Sequence, residues 1–395
     1  MITNEQILQE AQAIYDWLVE IRRDFHKHPE LGMAEYRTRD QIIKYLTAMD
    51  IPYEKDIANT AVVGFIEGSH PGKTVALRAD MDALPIQELN DVPYKSVYDG
   101  KMHACGHDAH TAILLGTAKV LKDMQKSLKG NVKLFFQPAE ETVGGAKPMI
   151  EEGVMENPKV EAVFGLHMAP DLPTGNIGLK YGQMNASSDT IKITIHGKNS
   201  HGASPHRGTD AIVIAAHVIT ALQTIVSRNV DPVEGAVVSI GVIEGGKQKN
   251  IIAQEVNMIG TVRTLDPKVR DLVLERIEEV LNFTTKSFGG DYTFELGTDG
   301  YAALINNDQM VDIVKNSATE LFSTRNIVEG KKPSMGVEDF SYFAQAAPGA
   351  FFRLGCRNEE RGITHGVHTP YFDIDEKSLP LGVAMQVKNV LSFLT

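Results

Sequence analysis

Apolar side chains near the start of the chain recur at helical spacing: Ile7, Ala11, Ile14, Leu18, Ile21 and Phe25. This periodicity predicts one helix over residues 4–28, with Pro29 at or just past its end, because proline cannot continue a helix. A second helix is predicted over 38–49. Short β-rich runs then alternate with helical pattern. Residues 61–66, 74–79, 132–137 and 162–166 read as strands, and 111–122 as a helix. Such alternation argues for an α/β layer built around a central sheet.

From 187 to 296 the rhythm changes. Ile191, Ile193 and Ile195 alternate with polar residues, as on a strand with one buried face. A long apolar helix (210–227), two strands (236–242 and 255–263), an amphipathic helix (267–288) and a last strand (291–295) follow. Asp266 is the expected N-cap of the amphipathic helix, and Pro267 its first residue. The order β-α-β-β-α-β is the ferredoxin-like pattern. It predicts a complete α+β domain, 187–296, inserted into a larger α/β domain made of 1–186 and 297–395. After Gly300 the α/β pattern resumes, with a helix over 309–322, a strand over 350–354 and a closing helix over 377–394.

Bulk properties narrow the partners. At 395 residues the chain is too long for one ordinary core, in line with two domains. A formal net charge of -12 repels phosphate backbones and gives no attraction to anionic membranes, so neither a nucleic acid nor a membrane is expected as a partner. No apolar run is read as reaching the roughly 20 residues of a membrane span. The N-terminus lacks the basic-then-apolar pattern of a signal peptide. With only Cys105 and Cys356 as cysteines, a reducing cytoplasm is the expected compartment.

Polar residues of a different kind gather near the ends of the predicted strands. The densest segment is MHACGHDAH (102–110). Thiolate and imidazole are good ligands for zinc-like cations, and Cys105 and His107, two apart, share a side in an extended segment. QPAEE (137–141) follows the apolar run 132–136. Two adjacent carboxylates, Glu140 and Glu141, are costly to hold together without a cation. Ligation by one and proton transfer by the other resolves that cost. His167 in GLHM (165–168) and His368 in THGVHTP (364–370) add imidazoles. Asp80 and Asp82 follow the run 74–79, where a carboxylate can orient a ligating histidine through its free N–H. Simple strand capping is the alternative reading for Asp80. Each segment alone is also an ordinary polar loop. Their convergence at strand ends, where α/β folds bind ligands, is much rarer by chance than any one of them. A further loop, NSHGASPHRG (199–208), leads into the first helix of the inserted domain and reads either as a substrate contact or as a plain helix entry.

On these residues the chain resembles the M20 metallopeptidase family, and within it the aminoacylase-like branch with hippurate hydrolase, auxin-conjugate amidohydrolase and bacterial N-acyl-amino-acid deacylases. The matching pieces are RRDFHKHPELG (22–32), RADMDALPIQE (78–88), MHACGHDAHTA (102–112), FQPAEE (136–141), GLHM (165–168), SHGASPHRGTDAI (200–212), GTVRT (260–264), GVEDFSYF (336–343) and HTPYFDIDE (368–376). They run in order over nearly the whole chain.

The resemblance implies two divalent metal ions per subunit, held by Cys105, His107, Glu141, His167 and His368. Zinc or manganese comes first, with cobalt or nickel as alternatives. It implies Glu140 as the general base, Asp82 as a clamp on a ligand, and His201 as a contact for the substrate or its tetrahedral intermediate. Asn250 and Arg263 become candidate contacts for a substrate carboxylate. It also implies that the larger domain is a metallohydrolase and the inserted one a lid that forms a homodimer or a higher homo-oligomer. The expected activity is hydrolysis of the amide bond of a small N-acyl-L-amino acid by metal-activated water. The alternatives are a dipeptidase or aminopeptidase on the same scaffold, and a non-catalytic metal or amino-acid binding protein, which has no use for Glu140.

Overall fold

The computed structural model describes residues 2–395, and the chain divides into two compact units. The larger comprises Met1–Gly182, Ile305–Lys332 and Asp339–Thr395. Its sheet has eight strands in the order Tyr53–Ile57, Ala61–Glu67, Lys129–Gln137, His70–Asp80, Ala162–Pro173, Gly349–Arg357, Ile177–Leu179 and Ile327–Glu329. The four strands from Lys129–Gln137 to Gly349–Arg357 run parallel. Parallel strands carry helices on their faces and so read as continuous apolar runs. Val75, Leu77, Val132, Leu134, Phe136 and Phe164 are accordingly all buried in one core with the helices His107–Asp123 and Ser378–Leu394.

The register sets up the chemistry. Asp80 pairs with Gln137, and Arg78 with Gly165, so Asp80 and Gln137, the last residues of their strands, lie level with His167 inside the neighbouring parallel strand. Such carboxyl strand ends are where open α/β sheets bind ligands.

The single helix expected over 4–28 is two helices, Asn4–Ala13 and Tyr15–Lys27. Ile14 leaves helical geometry at ψ 11°, with neither proline nor glycine to mark the break. Both apolar rows are still buried, Ile7 and Ala11 on the first helix and Leu18, Ile21 and Phe25 on the second. Periodicity therefore stayed intact across a break that it could not register.

The smaller unit is Gln183–Leu304 with Pro333–Glu338. It is wider than 187–296 because bridges outside the main strands, Ser188 with Tyr301 and Asn185 with Ser334, tie its flanks in. Its sheet is antiparallel, in the order Asp291–Leu296, Ser187–His196, Glu255–Thr264 and Ala236–Gly245. With the helices Ala211–Thr224 and Pro267–Ser287 this is the ferredoxin-like arrangement. Ile191, Ile193 and Ile195 pack with Ile214, Val218, Leu222, Val273, Ile277 and Leu281. Asp266 caps the second helix by accepting the Lys268 amide at 2.7 Å, with Pro267 as its first residue.

One expectation about apolar runs fails here. Ala211–Asn229 is a helical run with the length and composition of a membrane span, at a mean hydropathy of 1.6. One face, with Ile214, Val218, Leu222 and Ile225, lies in the core of this unit. Ile212 and Val213 on the other side are exposed.

Candidate metal centre

The site begins at a glycine. Gly106 sits at φ +93° between Cys105 and His107, and a Cβ there would lie 3.0 Å from the Met168 side chain. Only glycine takes this conformation in this space without strain. It ends the preceding segment and starts the helix His107–Asp123 with His107 as its first residue. Cys105 and His107 thus flank a left-handed turn, not the extended segment expected from their spacing.

Around this turn the strand ends supply partners. Cys105 Sγ lies 3.3 Å from His167 Nε2. His167 Nδ1 faces the Met168 carbonyl at 2.8 Å, and since a carbonyl only accepts, Nδ1 carries the proton and Nε2 is left for the cluster. His368 Nε2 lies 2.9 Å from Glu141 Oε1, and His107 Nε2 4.0 Å from that same oxygen. One donor atom from each of Cys105, His107 and His167 lies within 4.8 Å of the others; the same holds for Cys105, Glu141 and His368, and for His107, Glu140 and Glu141. The structure therefore brings the five candidate ligands and Glu140 into one cluster of overlapping triads. Apart from the half-exposed His368, the group is largely shielded from solvent.

Asp82 joins two members of this cluster. Its Oδ1 lies 3.1 Å from His107 Nδ1, and its Oδ2 accepts the Glu141 amide at 3.0 Å. Accepting the Nδ1 proton leaves His107 Nε2 turned to the ligand cluster, the arrangement by which an outer carboxylate orients a metal-binding histidine.

The electrostatics of the bare site are frustrated. Burial pushes the Cys105 thiol well above its ordinary range, and Glu141 and Glu140 push it further. Burial alone would lower the His107 imidazole, but Asp80, Asp82 and Glu141 outweigh it and raise it to about 10. His167, buried beside His110, is pushed down to about 3 and stays neutral. His107 Nε2 is buried without a hydrogen bond. Divalent cations fit this donor set: positive charge stabilises the thiolate and the clustered carboxylates and takes the lone pair of an imidazole.

Asp80 and several buried residues that the sequence did not single out frame the site. Arg78 donates to Gln137 at 2.7 Å, Asp80 at 2.5 Å and Asp339 at 2.8 Å. His110 Nε2 accepts the Met168 amide at 2.8 Å, so its Nδ1 holds the proton that it gives to Asp80 at 2.5 Å. Asp80 is thus part of an ordered network and not a simple strand cap. Asp339 also accepts the Ala146 amide at 3.0 Å. Arg22 donates to Asp108, the residue after His107, at 2.8 Å, and His26 meets the same carboxylate oxygen at 2.7 Å. Arg78, Asp80, His110 and Arg22 lay inside quoted motifs, but nothing in the motifs told which of them face one another.

The three substrate-contact candidates lie in the smaller unit. His201 bridges to Ile251, and the Gly202 amide donates to the Asn250 carbonyl at 2.8 Å, so His201 and Asn250 sit on one pair of adjoining loops. Arg263 is half-buried on its strand and donates to Thr261 and Val262.

A mixed sheet with parallel central strands, carrying a thiolate, imidazole and carboxylate cluster beside them, defines a metal-dependent hydrolase. Residues 76–391 match peptidase family M20/M25/M40, and the chain belongs to that family. It is 40% identical over 392 residues to thermostable carboxypeptidase 2 of Saccharolobus solfataricus, covering 98% of each chain. It is 41% identical over 362 residues to N-acetyl-L-cysteine deacetylase of Bacillus subtilis, covering 92% of this chain and 84% of the relative. A solved structure of a dinuclear metal-binding M20 peptidase from Bacillus subtilis superposes with a TM-score of 0.84 at 34% identity, over 97% of this chain and 99% of the other.

Proposed function

We propose that the protein hydrolyses the amide bond of N-acyl-L-amino acids, using two divalent cations held by Cys105, His107, Glu141, His167 and His368. The observation that carries this reading is Glu140, a buried carboxylate beside the ligand cluster that the ligand set itself does not need. The kinship with an N-acetyl-L-cysteine deacetylase supports the choice of substrate class.

Bound there, the cations supply Lewis acidity, lowering the pKa of a water and polarising the amide carbonyl. Glu140 takes the proton from the attacking water and returns it to the leaving amine. Asp82 holds His107 in one tautomer throughout and keeps the Glu141 backbone in place. His201 is assigned to the developing oxyanion, and Asn250 with Arg263 to the substrate carboxylate. The cations are taken as zinc or manganese, with cobalt or nickel as alternatives, since mixed thiolate, imidazole and carboxylate donors suit all four. A homodimer through the smaller unit and a cytoplasmic site of action complete the reading. A carboxypeptidase or dipeptidase is the second reading, favoured by the 40% identity to thermostable carboxypeptidase 2.

The test is turnover by wild type and Glu140→Gln across N-acetyl-L-cysteine, other N-acyl amino acids and dipeptides, with each metal added back. Cleavage of N-acyl amino acids over dipeptides is expected, and Glu140→Gln should lower kcat on the order of 10²–10⁴ while keeping its metal. Near-normal kcat in a fully metallated Glu140→Gln protein rules out Glu140 as the base. Preference for dipeptides selects the second reading.

A further inference from the structure

Glu35 stands immediately before the helix Tyr36–Ala48, and its side chain makes no cap hydrogen bond. It is fully buried and turned the other way. Oε1 accepts the Ala139 amide at 2.9 Å, and Oε2 accepts the Thr60 hydroxyl at 2.7 Å. Ala139 is the residue before Glu140. It is held at φ +57°, a left-handed conformation that strains a residue with a Cβ and persists only where the surroundings impose it.

Those surroundings are visible. The Ala139 carbonyl accepts the Thr142 amide at 3.3 Å and the Gly144 amide at 2.9 Å. The segment leading to Glu35 presses on the same turn: a Cβ on Gly32 would lie 2.4 Å from Thr142 Oγ1 and 3.0 Å from Ala139 Cα. The amide after Glu140, that of Glu141, is held separately by Asp82 at 3.0 Å. Glu140 is therefore straddled by two captured amides, each taken by a carboxylate from a distant segment.

We propose that Glu35 is a positioning residue for the reaction, fixing the left-handed turn at Ala139 so that Glu140 points its carboxylate at the attacking water. The inference rests on Glu140 being the base. Metal binding is largely spared when Glu35 is lost, because the ligand Glu141 keeps its own amide partner on Asp82. Burial pushes the Glu35 carboxyl up to about 7 against the Thr60 hydrogen bond, and Asp82 adds to the rise. Acid and carboxylate both keep an oxygen toward Ala139, so a glutamine there preserves the hold.

The experiment compares metallated Glu35→Ala, Glu35→Gln, Thr60→Val, Glu140→Gln and the double variant Glu35→Ala/Glu140→Gln on N-acetyl-L-cysteine. Glu35→Met replaces the alanine variant if that one does not fold, since it fills the volume and lacks the acceptor. Displacing a catalytic group by about 1 Å costs on the order of 10²-fold, so Glu35→Ala should lower kcat by about ten- to a hundred-fold with KM and metal per chain unchanged. Glu35→Gln should keep most of wild-type kcat. Thr60→Val removes the other partner of the same carboxylate; it should lower Tm and leave kcat. The double variant should be no slower than Glu140→Gln alone, because residues acting through one group are not additive.

Wild-type kcat in metallated Glu35→Ala overturns the proposal. So does a Thr60→Val loss equal to that of Glu35→Ala, or a double variant slower than Glu140→Gln by the full Glu35→Ala factor. An active Glu140→Gln protein instead brings down the assignment of the base. An inactive Glu140→Gln beside a normal Glu35→Ala removes the positioning role alone.

Discussion

Replacing Asp82 with asparagine changes one atom and pulls apart two parts of the site. In the native carboxylate both oxygens accept, one from His107 Nδ1 at 3.1 Å and one from the Glu141 amide at 3.0 Å. Asparagine has one acceptor oxygen and one NH₂ donor. Whichever way the amide turns, one of the two N–H donors loses its partner and faces another donor. If the oxygen stays on Glu141, the His107 ring must take the other tautomer, and its Nε2 then carries a proton toward the cluster. A hydrogen bond with a charged partner contributes about 1.5–3 kcal/mol. At about 1.4 kcal/mol per decade that is a loss of on the order of ten- to a hundred-fold in metal affinity. The figure agrees with the ~10–100-fold usual when a partner behind a metal ligand is removed. The assay is competition for zinc or manganese between apo protein and a chromophoric chelator, with Tm of the apo forms compared in parallel. Asp82→Ala, which loses both acceptor contacts, should bind metal more weakly still. Unchanged affinity in a folded Asp82→Asn protein refutes the argument.

Cys105 should be shielded from thiol reagents in the metallated protein and become reactive after chelation, while the fully buried Cys356 stays inert in both; equal Cys105 labelling with and without metal counts against ligation. If the protein is a two-fold dimer in which His201 serves the partner's site, mixing Glu140→Gln with His201→Ala under subunit exchange should restore activity. Half of the dimers become mixed and one site in each is intact, so recovery should reach roughly a quarter of wild type. No recovery, with exchange confirmed independently, means that His201 acts within its own chain or not at all.

The two layers of periodicity, parallel-strand runs in the larger unit and alternating isoleucines in the smaller, were legible because a few adjacent residues decide which face is buried. Asp266 with Pro267 marked a helix start for the same local reason. The donor-rich segments were legible as chemistry, since thiolate, imidazole and paired carboxylates are uncommon together at strand ends. Local pattern also points away from the fold in two places. A two-residue spacing suggested an extended backbone at Cys105 and His107, where Gly106 turns the chain and starts a helix. An unbroken apolar row concealed the break at Ile14.

The residue types and their spacing along the chain thus determined the elements, the layers and the inventory of candidate ligands. Only the tertiary structure decided which buried charge faces which. Glu35 meets the Ala139 amide across 104 positions, Gln137 meets Asp339 across 202, and Arg22 meets Asp108 across 86. No periodicity or motif encodes such a pairing, because a buried carboxylate is tolerated only when folding delivers its donor, and that donor arrives from a segment with no local relation to it.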